Sequence, residues 1–250
     1  MKQHSSVLDF ETNPREIDEK ILIVVGDVHG DIDQLMIPFQ LYTHCKNAKL
    51  IYIGDYCSTS PENELVYNQI VKTIDDPNII YLRGNHESRN FDRNEMYYKY
   101  KVLKFRNAYA VDSNLDEVNE LDKAKYLFTH AEFTPFKENE FKTVSEINEI
   151  PVESAKDFIY RYEKADPDKK IKNSFQNIFG HHHCYDLTDE TMNLFMNNEI
   201  RRLCIDIDSS YVFHYGSTSV VCFLILKKDS YEIYKKTIRH DPKKFVPRKK

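Results

Sequence analysis

Five apolar runs in this chain each stop at residues that bind metals or move protons, and that repetition constrains the fold more than any single motif. Residues 21–25 run into Gly26-Asp27-Val28-His29-Gly30, and residues 49–53 into Gly54-Asp55. Residues 78–82 run into Arg83-Gly84-Asn85-His86-Glu87, residues 125–129 into His130, and residues 176–180 into His181-His182-His183. Most of these runs are β-rich, so they read as strands with Asp, His or Asn at their carboxyl ends. Open α/β sheets place their chemistry there. A lone histidine at a strand end is ordinarily structural, but that explanation would have to hold five times independently.

The pattern between these runs fills in the rest. Residues 21–25 are continuous and β-branched, which predicts a strand buried on both faces. A helix is expected from Asp31 or Asp33, with Leu35, Met36, Phe39 and Tyr42 on its inner face. Its N-terminus beside a strand end suits an anion. A second helix is expected over about 62–74, and Pro77 resets the chain into the third strand, giving a βαβαβ run. A long helix over about 91–109 would turn Met96, Tyr100, Leu103 and Phe105 inward. Residues 111–124 read as a loop. Residues 132–174 are irregular and charged, with a helical segment near 152–163 and a turn at Asp166-Pro167, and read as a cap on the core. Three β runs at 202–208, 219–227 and 231–237 suggest an antiparallel sheet.

The expected fold is therefore α/β, on the α+β side: a four-layer αββα sandwich of two packed sheets flanked by helices. Residues 1–20 would form an arm, 21–238 a single domain, and 239–250 a basic tail. A hydrophobic share of 41% in 250 residues is enough for such a core. The net charge of −5 selects no class of partner. The basic segment holding Lys235, Lys236, Arg239, Lys243, Lys244, Arg248, Lys249 and Lys250 reads as a solvated tail, with a nucleic-acid, membrane-surface or partner contact as the alternative. Cys45, Cys57, Cys184, Cys204 and Cys222 form no Cys-x-x-Cys, and the odd number favours reduced thiols in a cytoplasmic compartment. No signal peptide and no apolar run of about 18 residues is visible, which fits a soluble intracellular protein.

Imidazole, carboxylate and amide donors without thiolates suit Zn, Fe, Mn or Mg. So many donors fit two metals sharing one carboxylate better than a single ion. A pair about 3.5–4 Å apart can activate water and hold a phosphoryl oxygen for in-line attack.

Gly26-Asp-x-His-Gly30, Gly54-Asp55, Leu82-Arg-Gly-Asn-His-Glu87 and Gly180-His181 together resemble the phosphoprotein phosphatase branch of the calcineurin-like metallophosphoesterases. The likeness covers about residues 21–226. It implies two divalent metals, Mn or Fe/Zn, with Asp27 and His29 on the first, Asp55 bridging, and Asn85, His130 and His181 on the second. His183 is either an extra ligand of the first metal or a structural residue. The resemblance implies that His86 is the general acid and that Arg83 contacts phosphate, with Arg161 as a second clamp; Arg89 is as well explained structurally. It implies phosphomonoester hydrolysis, with a phosphorylated protein as first-choice substrate. A nucleotide polyphosphate of the diadenosine tetraphosphate type is the enzymatic alternative. A pseudophosphatase that binds a phosphorylated partner, and a phosphodiesterase acting on nucleic acid, are the other classes.

Two departures bear on activity. The family's Gly-Asp-x-x-Asp-Arg-Gly reads Gly54-Asp55-Tyr56-Cys57-Ser58-Thr59-Ser60 here. The Asp that holds the catalytic histidine is Ser58, and the phosphate-clamping Arg is Thr59. His86 is thus expected to lose its orienting partner, and a hydroxyl of Ser58 or Thr59 to replace part of the contact. The Gly-Gly that follows the family's fourth-motif histidine is Ala131-Glu132.

Overall fold

Strand β1 (Ile21–Val25) is buried throughout and divides its side chains between two cores. Ile21, Ile23 and Val25 face one cluster, and Leu22 and Val24 the other. A strand covered on both faces shows this period-two split. The computed structural model describes residues 11, 16–57, 60, 62–88, 103–133, 141–151, 175–181, 187–205 and 218–239. Ser58, Thr59, Arg89, Met96, Tyr100, Arg161, His183, Cys184, the segments expected at 152–163 and 166–167, and residues 240–250 lie outside them.

In chain order β1 is followed by α1 (Ile32–Thr43), β2 (Ala48–Tyr52), α2 (Asn63–Thr73), β3 (Ile79–Tyr81), α3 (Asn85–Ser88), β4 (Ala108–Val111) and β5 (Tyr126–Thr129). Then come α4 (Val144–Asn148), β6 (Gln176–Phe179), α5 (Asp189–Met196), β7 (Arg202–Cys204), β8 (Thr218–Leu226) and β9 (Tyr231–Arg239). One sheet has the order β3-β2-β1-β8-β9 and the other β4-β5-β6-β7. Strands β1, β2 and β3 are parallel, and so are β5, β6 and β7. Each sheet is completed by antiparallel strands, β8 and β9 in the first and β4 in the second.

Apolar contacts set the layers. Helices α1 and α2 cover the first sheet through Leu35, Ile37, Leu41, Val66 and Ile70. Leu22, Val24, Ile51, Phe128, Ile178, Leu203 and Leu224 fill the space between the sheets. Val144 and Ile147 of α4 cover the second sheet over Ala108, Ala110 and Leu127. The result is the expected αββα sandwich, with α4, part of the segment read as a cap, in the fourth layer. Among the described residues no helix is long and apolar enough to cross a membrane.

Several elements differ from the sequence reading. Strand β7 does not join β8 and β9; it pairs parallel to β6 in the second sheet, with Leu203 opposite Ile178. A run of β-rich segments cannot show that a chain changes sheets between them. The helix expected to reach Tyr109 does not: Ala108–Val111 is strand β4, pairing with β5. Its two alanines favour a helix, but a site beside β5 overrides that preference. Helix α5 has no counterpart among the expected elements, although Thr188 caps it by accepting from Thr191 N. The buried face of α1 is Gln34, Leu35, Ile37, Pro38 and Leu41, with Met36, Phe39 and Tyr42 half-buried at its margins. Lys235, Lys236 and Arg239 belong to β9, so that part of the basic segment is strand, not tail.

A polar residue on the inner face of α1 has a clear reason. Strand β1 ends at Val25 opposite Phe223, leaving the peptide of Cys222 without a strand neighbour on that side. Gln34 fills the gap: Nε2 donates to Cys222 O and Oε1 accepts from Cys222 N, both at 3.0 Å. Gln34→Leu keeps the volume but strands two buried peptide groups. We expect the unfolding free energy to fall by about 3 kcal/mol, read from a urea titration, without loss of metal binding.

Candidate metal centre and active site

The five strand ends converge. His29, Asp55 and His86 place ligand atoms within 4.8 Å of one another, and so do Asp55, His130 and His181. Asp55 belongs to both groups. Its Oδ2 lies 3.9 Å from His29 Nε2 and 3.9 Å from His86 Nε2, while its Oδ1 lies 3.5 Å from His130 Nε2. Asp27 joins through Oδ2, 3.5 Å from His29 Nε2, and its Oδ1 accepts from His181 N at 3.2 Å. Asn85 Oδ1 lies 3.1 Å from both His130 Nε2 and His181 Nδ1. All the residues read from the sequence as metal ligands that fall among the described residues are therefore brought together.

Backbone geometry holds them there. His29, Asp55 and His181 adopt positive φ of 48°, 52° and 66°. Non-glycine residues rarely take this left-handed conformation, and where it persists the surroundings impose it. The imposition is visible: Asp55 O accepts from both Val28 N and His29 N, at 3.1 and 2.7 Å, and Gly30 N donates to Tyr56 O at 2.8 Å. Gly84 and Gly180 are required by space. A Cβ on Gly84 would collide with the backbone N and carboxylate of Asp55, and one on Gly180 with the carboxylate of Asp27.

The donor set fits divalent metals. The imidazole–carboxylate separations of 3.5–3.9 Å exceed the roughly 2.7–2.9 Å of a charge-assisted hydrogen bond. His130 Nδ1 lies 2.9 Å from Ile53 O. A carbonyl only accepts, so Nδ1 carries the proton. Burial lowers the pKa of His130, against the pull of Asp55. Its Nε2 faces the oxygens of Asn85 and Asp55, an assembly of acceptors that a cation resolves. Burial alone would raise the Asp55 carboxyl, but the imidazoles of His130, His86 and His29 outweigh it and hold it well below the usual carboxylate range.

His86 does not lack an orienting partner. Its Nδ1 lies 2.7 Å from the carbonyl oxygen of Cys57, so a peptide group takes the place of the carboxylate missing at Ser58. Its backbone N donates to Asp55 Oδ1 at 2.8 Å. Glu87 is a residue whose part the sequence reading did not identify. It is fully buried, and Oε2 accepts from Asp55 N and Gly84 N at 2.9 Å each. Oε1 accepts from Tyr56 N at 2.8 Å and Cys57 N at 3.4 Å. Burial, then the charge of Asp55, push its pKa up, while His86 and the bonded amides of Tyr56 and Gly84 pull it down. Four N–H groups face its two oxygens.

Arg83 is 6% exposed, with its guanidinium 5.7 Å from the Phe105 ring centre and Nη2 donating to Leu103 O at 3.4 Å. Glu132, at the expected Gly-Gly, forms a mostly buried ion pair with Arg202.

The sequence profile described as calcineurin-like phosphoesterase matches residues 21–216. A protein phosphatase 2A catalytic subunit of Dictyostelium discoideum is 25% identical over 217 residues, 80% of this chain and 67% of that one. A Schizosaccharomyces pombe protein proposed to be a serine/threonine-protein phosphatase is 33% identical over 89 residues, which cover 35% of this chain and 29% of that one. Among solved structures, one proposed to be a diadenosine tetraphosphatase superposes with a TM-score of 0.51 at 13% identity, covering 88% of this chain and 96% of that one. At that identity the likeness bears on the fold alone.

Proposed function

The chain belongs to the calcineurin-like phosphoesterase family, a family of metal-dependent hydrolases, and from that premise we propose that it hydrolyses phosphomonoesters of phosphorylated proteins. The observation that carries the reading is the pair of ligand groups sharing Asp55. Asp27 and His29 would hold one metal, Asn85, His130 and His181 the other, and Asp55 both. When bound, the metals supply activation of water and neutralisation of charge on the phosphoryl group.

The chain's own groups do the rest. His130 is fixed in one tautomer by Ile53 O, and Asp55 by the His86 peptide N–H. His86 presents Nε2 toward the centre and gives its proton to the leaving oxygen as the phosphorus–oxygen bond breaks and the bond to the water oxygen forms. The products are an alcohol and orthophosphate. Arg83, buried against Phe105, is assigned to holding the turn before Asn85 rather than to the phosphate.

The protein substrate is supported by the 25% identity to a protein phosphatase 2A catalytic subunit over 80% of this chain. The test supplies Mn²⁺ and compares a phosphoserine peptide, diadenosine tetraphosphate and an aryl phosphodiester. We expect kcat/KM for the peptide to exceed the other two by about tenfold or more. A preference of that size for the polyphosphate or the diester would replace the assignment. No hydrolysis of any, with peptide still bound, would mark a phosphate-binding protein without turnover.

A further inference from the structure

We propose that Glu87 is a positioning residue that aims the general acid by holding the residue whose carbonyl meets it, and that this backbone contact replaces a carboxylate partner for His86. The proposal rests on the hydrolase reading above and adds how its acid is held.

Glu87 grips two loops at once. Oε1 holds Tyr56 N and Cys57 N on the loop after β2, and Oε2 holds Asp55 N and Gly84 N, the latter on the loop after β3. Glu87 meets Cys57 at both its N–H and its thiol, the groups flanking the Cα that also bears the Cys57 carbonyl, and that carbonyl sits 2.7 Å from His86 Nδ1. The same carboxylate thus sets both the acceptor and, through Gly84, the start of the helical turn that carries His86. The thiol of Cys57, 3.7 Å from Glu87 Oε1, adds another donor to the same side.

The chemistry of the partner matters. A carbonyl accepts from Nδ1–H whether the ring is neutral or charged, so the proton that moves is always the one on Nε2. A carboxylate would add a full negative charge beside the ring; a peptide orients without doing so. Among the described residues, every hydrogen bond to Glu87 comes from a donor. Glu87→Gln keeps the shape but turns an NH₂ group against peptide N–H groups, which loosens the loop bearing the Cys57 carbonyl.

The experiment has two readouts. In metal-free native protein, two-bond ¹H–¹⁵N spectra of the histidine rings should show the His86 proton on Nδ1, with Nε2 bare; a neutral ring protonated on Nε2 alone overturns the proposal. That measurement needs no variant and no turnover, so it stands even if Glu87→Gln fails to fold or the hydrolase reading fails because native protein cleaves no phosphomonoester. In the Mn²⁺-loaded enzyme, Glu87→Gln should lower kcat on phenyl phosphate, whose leaving group needs a proton, by about 100-fold or more. On nitrophenyl phosphate, whose leaving group needs little help, the loss should be about tenfold smaller. The His86 spectrum of the variant should show both tautomers. Equal losses on both substrates, or a variant spectrum identical to native, would show Glu87 to be purely structural.

Discussion

Asp55→Asn lowers metal-dependent hydrolysis of nitrophenyl phosphate by about 1,000-fold or more, with the fold intact. The size follows from the position of Asp55 in both ligand groups. Every other candidate ligand serves one group, so its loss leaves the other group complete. The amide removes a charge common to both, in a site where burial makes charge count for more than it does in water. The fold survives because the structural work of Asp55 falls on an oxygen that asparagine keeps. Oδ1 accepts from His86 N at 2.8 Å, and the backbone of Asp55 bonds to Val28, His29 and Glu87 independently of the side chain. The new NH₂ occupies the place of Oδ2, facing His29 Nε2 and His86 Nε2. The check is kcat at saturating Mn²⁺ beside a thermal melt; a variant that melts as native and turns over as native would remove Asp55 from the chemistry.

Gly84→Ala should have the next largest effect, and it acts through geometry alone. The added methyl has no open space: it meets the backbone N and the carboxylate of Asp55, and Glu87 Oε2 lies 2.7 Å away. None of these is the loose end of a long side chain. Asp55 is held by the loop after β1 and by α3, and Glu87 by four N–H groups, so the turn carrying Asn85 and His86 must move instead. A displacement near 1 Å costs about 100-fold in turnover, and the overpacking costs about 3 kcal/mol of stability. Activity of the variant over a temperature series, with the urea midpoint, separates the two effects. A loss of activity that vanishes at low temperature would mean that only stability had changed.

Much of this was legible in the sequence because it lies in side chains at strand ends. Asp27, His29, Asp55, Asn85, His130 and His181 each follow an apolar run, and parallel strands deliver such ends to one side of a sheet. What was not legible depends on the backbone. The partner of His86 is a carbonyl, which every residue has, so reading Ser58 in place of the expected Asp suggested a loss the fold has repaired. The role of Glu87 is equally hidden, since its ligands are four peptide N–H groups from two loops. Strand β7 went astray for a related reason: Arg202–Cys204 carries β character, but nothing in three residues says which sheet they join. Arg83 adjoins the site in sequence, and its guanidinium packs 5.7 Å from the Phe105 ring centre.

Metal stoichiometry coupled to turnover in the native protein decides whether Asp55 joins two metals in a working hydrolase. Metal-free chain is titrated with Mn²⁺ by calorimetry, and hydrolysis of nitrophenyl phosphate is followed in parallel. Two equivalents per chain are expected, with hydrolysis rising as the second site fills, and one equivalent or fewer in Asp55→Asn. Full hydrolysis with a single equivalent bound, or two equivalents bound equally well without the Asp55 carboxylate, would rule out a centre built on a shared Asp55.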